Sequence, residues 1–314
     1  MCVVNWNCRE LLRGCLRSLL EEGQGVSLEV IVVDNASGDG AADMVAREFP
    51  QVRLIRNSGN AGFARANNQA AQIAQGRFLF FLNNDTVVPA RTLIQLVEYL
   101  ETHSEAVMVG PCMRDGHGKV QISYRLRPTI ATFLHRTLLL RWTGLFRRHY
   151  QAYRRDVLAE ARAARPVDVL MGAALLVRRS EFICMGAWDE DFAFGGEDLE
   201  LCHRARQLGE VVYLPGVEIT HLGRASTRRN IAFASTRIAI GFVQYFRKSG
   251  ATRAALFAYK LAITLDAPVQ LVIRGGQYLL RRLRGRRVQA ERSLTSVRGA
   301  VAFLCTGLWR FWRA

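Results

Sequence analysis

The first 110 residues alternate between short apolar runs and stretches of helical periodicity, and this alternation restricts the fold more than any other feature of the chain. Val3–Val4 read as a strand. Leu11, Leu12, Cys15, Leu16, Leu19 and Leu20 form the stripe of a helix that Asn7 can cap. Leu28–Val33 is a continuous, β-branched run of the kind that a strand buried on both faces requires. A helix over Ala41–Phe49, a strand at Val52–Ile55 and a helix over Phe63–Ala74 follow. A strand at Phe78–Leu82, a helix from Pro89 to about His103 and a strand at Ala106–Val109 complete the series. Strands alternating with helices predict a parallel sheet covered on both faces. The first strand is shorter than the usual length of about five or six residues, so the natural start is expected several residues upstream.

In such a sheet, ligands bind outside the carboxyl ends of the strands. Asp34, the loop Asn57-Ser58-Gly59-Asn60-Ala61-Gly62 and Asp85 all fall at those ends. Asp85 either holds a divalent cation that bridges a diphosphate or shapes the next turn. Asp34 either accepts hydrogen bonds from a base or ribose or serves its own turn. The two glycines of the loop let its backbone approach a ligand closely. There is no Walker A pattern and no G-x-G-x-x-G after a strand, which argues against an ATPase or a dinucleotide-dependent dehydrogenase. Asp189–Glu200 places acids at positions 1, 3 and 12 of a calcium loop. Ala193 and Phe194 occupy positions 5 and 6, where a ligand and a glycine are needed, so an EF-hand is rejected. Glu197-Asp198 opens a helix over Leu199–Leu208. Paired carboxylates there suit a general base, and acids also complement a helix dipole. His221, just past a strand at Glu210–Leu214, is either a ligand through neutral imidazole or a structural histidine.

Charge divides the chain. The net charge is +16, and residues 125–165 hold ten arginines against Asp156 and Glu160. Residues 251–314 hold eleven arginines and Lys260 against Asp266 and Glu291. The remainder is close to neutral, unlike a nucleic-acid enzyme that lines its cleft with positive charge. The apolar run Ala254–Ile273 is interrupted by Lys260, Asp266 and Pro268, which favours a helix lying in a membrane interface over one spanning it. Arg281, Arg282, Arg284, Arg286 and Arg287 beside Leu279, Leu280 and Leu283 fit anionic headgroups, as do Trp309, Phe311 and Trp312 beside Arg310 and Arg313; a solvated helical face is the plainer reading. Seven cysteines without a C-x-x-C read as reduced thiols with no zinc site.

Taken in order, these stretches resemble the family 2 inverting glycosyltransferases of GT-A fold, and within them a rhamnosyltransferase-like subgroup. The resemblance is carried by Val4-Asn5-Trp6-Asn7, Val32–Gly40, Asn57–Ala64, Asn67-Asn68 and Leu82-Asn83-Asn84-Asp85-Thr86. It continues through Gly172–Val177, Gly186-Ala187-Trp188-Asp189-Glu190, Gly196–Cys202 and His221. It implies an α/β, Rossmann-like, mostly parallel sheet with helices on both faces, plus a basic helical C-terminal extension. The expected division is a glycosyltransferase domain over 1–250, with a nucleotide-binding half at 1–115, a basic flap at 125–165 and an acceptor and catalytic half at 166–250. A membrane-associating tail over 251–314 follows.

The resemblance also implies roles. Asp34, Asn35, Asn60, Gly62, Asn67 and Asn84 handle the nucleotide, with Asp34 on the base. Asp85 and His221 hold Mg²⁺ or Mn²⁺. Asp198 is the catalytic base with Glu197 beside it. Gly172 and Ala173 line the sugar pocket, and Trp188 and Asp189 the acceptor side. Two departures matter: Asn83 stands where many relatives have Asp, and Ala66 where many place an Arg for the diphosphate, with Arg65 one place earlier. The implied activity is hexosyl transfer, with rhamnose suggested by the subgroup, from a dTDP- or UDP-sugar to a lipid-linked saccharide in polysaccharide or cell-wall assembly. The implied location is cytoplasmic, on the inner face of the membrane, with no nucleic-acid partner. The alternatives are a polyanion-binding protein and a scaffold without activity.

Overall fold

A computed structural model describes all residues except 21–24, 159–160, 162, 193 and 224–230, with backbone alone for 154–158 and 231–234. Arg154, Arg155 and Arg162 of the basic segment, and Ala193 of the rejected calcium loop, lie outside the described side chains. The chain divides into two compact units: Met1–Arg127, Val157–Ala193 and Glu197–Ser226 form one, and Pro128–Asp156, Phe194–Gly196 and Thr227–Ala314 the other. The segment expected as a flap, 125–165, is thus split, and most of it groups with the C-terminal helices.

The first unit is built on strands β1 (Cys2–Asn5), β2 (Ile31–Asp34), β3 (Arg53–Arg56), β4 (Phe78–Asn83), β5 (Thr86–Val87) and β6 (Ala106–Arg114). Strands β7 (Tyr124–Arg125), β8 (Arg165–Pro166), β9 (Val169–Leu170), β10 (Ala174–Arg178) and β11 (Glu210–His221) follow. The main sheet runs β3-β2-β1-β4-β10-β6-β11-β5, with β8 also paired to β11. The four N-terminal strands are parallel, as the alternation predicts, and Asn5, Asp34 and Arg56 lie side by side at their carboxyl ends. This is the mixed, mostly parallel, Rossmann-like sheet of the GT-A fold with flanking helices and a C-terminal helical extension.

The helices cover the sheet with the faces that their periodicity marks. Leu12, Cys15, Leu16 and Leu19 are buried from helix Arg9–Leu20. Helix Phe63–Ile73 turns Ala64, Ala66, Ala70 and Ala71 inward, and these small side chains let it pack directly on β1 and β2. Asn7, expected as a helix cap, accepts from Gly38 N, while Arg9 N at the helix start donates to Asp39.

Two features depart from the sequence pattern. Strand β10 lies antiparallel between β4 and β6, so the sheet is not uniformly parallel. Strand β11 continues past Leu214 to His221, with a register shift against β6 between Leu214 and Glu218, where Pro215 and Gly216 stand. Proline has no N–H for a ladder, and an irregularity lets the strand resume beyond it. His221 is therefore the last residue of a strand and pairs with Thr86 of β5.

The second unit is helical. Helix Arg253–Leu283 packs on helix Arg287–Ala302, and Phe133, Phe242, Phe246 and Tyr259 form an aromatic core with centroid distances of 4.1–6.4 Å. Asp266 is buried in the middle of the long helix, and its two oxygens accept from Leu139 N at 2.9 Å and Gln270 Nε2 at 2.7 Å. Those bonds satisfy a carboxylate that would otherwise be costly to bury. They also tie the short helix Leu138–Arg141 to the long one.

Candidate active site

The carboxyl ends of β1, β2 and β4 are joined by a buried polar chain centred on Asn5. Its Nδ2 donates to Asp34 Oδ1 at 3.0 Å and Ser37 Oγ at 3.1 Å, and its Oδ1 accepts from Asn84 Nδ2 at 2.6 Å. Asp34 Oδ2 accepts from Ser37 N at 2.9 Å. Both oxygens of Asp34 thus have protein donors and the residue is only 3% exposed, so the turn-forming role is the one the geometry displays. Asn5 lies in a stretch that carries the family resemblance, which gives it no role of its own. An Asn closing an otherwise apolar strand, level with Asp34, is the signal that points to it.

The glycine-bearing loop closes onto the same rim. Asn35 Nδ2 donates to Gly62 O at 3.2 Å, and Asn60 Oδ1 accepts from Gly62 N at 2.9 Å. Gly62 sits at φ +87° ahead of helix Phe63–Ile73, a conformation that disfavours any side chain. Asn57 joins Asn35 to Gln69. Asn67 is turned into its own helix, donating to Phe63 O at 3.1 Å, and is buried. Arg65 is exposed, with Nε 3.9 Å from Glu190.

Asp85 and His221 meet because β5 pairs with the end of β11. Their side chains are nearly buried, with His221 Nε2 3.3 Å from Asp85 Oδ1, and Leu222 N donates to Asp85 O at 2.8 Å. Neighbouring β6 is clamped to β11 by a bidentate Arg114–Glu218 pair at 2.6 Å, and the hydrogen bonds from Arg114 hold the Glu218 carboxyl below its usual range. Among the described residues no three of His, Cys, Asp and Glu come together. Burial pushes the Cys15 and Cys202 thiols up to about 12, so neither supplies a thiolate ligand at neutral pH. One carboxylate and one imidazole nevertheless suit Mg²⁺ or Mn²⁺, which take few protein ligands and complete their shells with water and substrate phosphate.

Asp198 adjoins this rim through backbone. Asn83 N donates to Ala173 O at 2.9 Å, and a Cβ placed on Gly172 would lie 3.4 Å from Asp198 Cβ. Gly172 thus lies within van der Waals reach of the first turn of helix Glu197–Leu208, next to the residue that is bonded to the end of β4. Asp198 is half-buried, with Oδ1 accepting from Leu199 N at 2.9 Å. Glu197 shares that first turn. Glu200, behind them, is buried and paired with Arg204.

The acceptor-side expectation is redrawn for Trp188. The residue is 1% exposed and packs edge-on against Phe63 and Phe81, with centroids 5.5 and 5.2 Å away, so the indole belongs to the core. Asn68 holds it there: Trp188 N donates to Asn68 Oδ1 at 3.0 Å, and Asn68 Nδ2 donates to Trp188 O at 2.8 Å. Asp189, next in the chain, is half-exposed. Cavities of about 860 and 590 Å³ open at the opposite edge of the sheet, around Arg77 and Phe78 at the start of β4, away from this rim.

Residues 1–162 match the sequence family described as Glycosyl transferase family 2. The chain is 30% identical over 218 residues to the N-acetylglucosaminyl-diphospho-decaprenol L-rhamnosyltransferase of Mycobacterium tuberculosis, a match that covers 65% of this chain and 70% of that one. In fold it is similar to a mannosyltransferase of Pyrobaculum calidifontis in complex with GDP-Man and Mn²⁺, at 20% identity. The TM-score is 0.55, covering 98% of this chain and 86% of the other. It is also similar to GalNAc-T7 with UDP, GalNAc and Mn²⁺, at 16% identity. There the TM-score is 0.54, covering 72% of this chain and 43% of the other.

Proposed function

Because the chain belongs to glycosyl transferase family 2, and is a glycosyltransferase of GT-A fold, we propose that it moves a hexosyl group, L-rhamnose, from a dTDP- or UDP-sugar to a lipid-linked saccharide with inversion. The observation that carries this reading is the Asp85–His221 pair at the rim that Asp198 adjoins through Gly172 and Ala173. The choice of sugar and acceptor is supported by the name of the mycobacterial relative.

In this reading the turn organised by Asp34 and Asn5, with Asn35, Asn60, Gly62 and Asn84, cradles the nucleotide, and buried Asn67 stiffens the helix beneath it. Asp85 and His221 would hold the cation, which supplies charge stabilisation for the leaving diphosphate. Gly172 and Ala173 border the sugar. Asp198 takes the proton from the acceptor hydroxyl, whose oxygen attacks the anomeric carbon opposite the departing diphosphate. Glu197 and Asp189 flank the acceptor. A panel of nucleotide-sugars offered to the protein with Mn²⁺ and a diphospholipid-linked N-acetylglucosamine acceptor tests the substrate. Rhamnosyl transfer is expected, and exclusive use of another sugar would replace rhamnose.

The second unit is proposed to rest on an anionic membrane that carries the acceptor. Helix Arg253–Leu283 is long and apolar enough to cross a membrane by length and composition. One side of it, however, is packed inside the unit through Tyr259, Asp266 and Ala267. The other side exposes Phe257, Leu261, Leu265, Val272 (77%), Leu279 and Leu283 (85%). Arg282, Arg284, Arg286 and Arg287 are exposed at its end, and Arg313 lies over the exposed Trp309 ring. An apolar stripe with flanking arginines favours lying in the interface, each arginine contributing roughly 1 kcal/mol at an anionic surface. Val272→Asp combined with Leu283→Asp should lower binding to phosphatidylglycerol vesicles about tenfold or more in a sedimentation assay. Undiminished binding by the double variant would remove this face from consideration.

A further inference from the structure

Gln121 lies just past an antiparallel return from β6. Val120 bridges Arg114, and Gln121 N donates to Met113 O at 2.7 Å, which fixes the backbone there. Because β6 neighbours β11, the side chain of Gln121 reaches the end of β11 and makes two hydrogen bonds to one residue. Its Nε2 donates to His221 O at 2.7 Å, and its Oε1 stands 3.0 Å from His221 Nδ1. A backbone carbonyl can only accept, so the amide nitrogen must occupy that end of the side chain. The amide oxygen is then the atom facing Nδ1, and Nδ1 must carry a hydrogen to bond it. In the neutral ring, the lone pair is left on Nε2, which faces Asp85 Oδ1 at 3.3 Å. Two acceptors so placed repel each other unless a proton or a metal cation lies between them. The spacing is close to the distance of about 3 Å between adjacent ligands of an octahedral ion with bonds of about 2.1 Å.

We propose that Gln121 is the positioning residue of the cation site, fixing His221 as the Nδ1–H tautomer so that Nε2 and Asp85 address one divalent cation. This rests on the reading that Asp85 and His221 hold that cation. A histidine ligand commonly donates its other N–H to a partner that sets the tautomer, and loss of such a partner costs about 10–100-fold in metal affinity.

The test is Mn²⁺ binding to the full chain in the presence of UDP, read from the electron paramagnetic resonance signal of free Mn²⁺. Gln121→Ala should weaken binding about 10–100-fold. Gln121→Met, which fills similar space without an acceptor, should do the same and stands in if the alanine variant fails to fold. In a His221→Ala background, adding Gln121→Ala should change affinity by less than about twofold, because the two residues act through one ligand. Wild-type affinity in Gln121→Met, or an undiminished further loss in the His221→Ala background, would overturn the assignment. Failure of the unaltered protein to bind Mn²⁺ with UDP, or full binding by Asp85→Ala, would overturn the cation-site reading itself, and this inference with it.

Discussion

Asp198→Asn is expected to leave donor binding intact and lower transfer by about 10²–10⁴-fold, the range typical for loss of a general base. Asp198 stands in the first turn of helix Glu197–Leu208, half-buried, with its Oδ1 committed to Leu199 N at 2.9 Å. In the proposed mechanism Oδ2 takes the acceptor proton. Asparagine keeps the shape and an oxygen acceptor for Leu199 N, so the fold has little reason to respond, but its amide has no useful basicity. The loss corresponds to about 3–5 kcal/mol of transition-state stabilisation. Calorimetric titration with UDP and Mn²⁺ should give the same affinity for both proteins, while initial rates diverge. Turnover by the variant within tenfold of the unaltered protein would assign the base elsewhere, Glu197 being the nearest other carboxylate in the chain.

Asp85→Ala should abolish the Mn²⁺-dependent part of nucleotide binding, a loss of about 100-fold or more. That exceeds the usual effect of removing a supporting residue because a ligand itself is lost. The substitution is well isolated. The strand pairing at this point runs through Asp85 O and Leu222 N, which the variant keeps, and His221 stays bonded to Gln121. UDP affinity measured in EDTA should therefore match between the two proteins, with the difference appearing as Mn²⁺ is added. An affinity at saturating Mn²⁺ equal to that of the unaltered protein would count against Asp85 as a ligand.

Much of this rim is legible in the sequence. The elements of the parallel half fall within a few residues of their expected bounds, because apolar runs and helical stripes are local signals. Strand-end polar residues could be named for the same reason: a carboxylate after a buried run has few places to go except the edge of the sheet. What could not be read was which way each polar group turns. For Asp34 the sequence leaves open a base contact or a turn role, and the fold engages both its oxygens with Asn5 and Ser37. Trp188 was expected beside an acceptor, yet it packs between Phe63 and Phe81. Gln121 carries no local signal, and Asn68, part of a matching stretch, carries no role in the sequence, because their partners lie 100 and 120 residues away.

The sequence by itself determined the alternating strands and helices, the clusters at the strand ends and the segregation of positive charge, because each is written in neighbouring residues. Tertiary structure decided that β10 enters antiparallel between β4 and β6 and that β11 continues beyond Pro215 to bring His221 against Asp85. It also grouped most of the basic segment 125–165 with the C-terminal helices. Those outcomes depend on which distant strands pair and which faces are buried together. That choice is made by the packing of the whole core and leaves no periodic mark on any one stretch of chain.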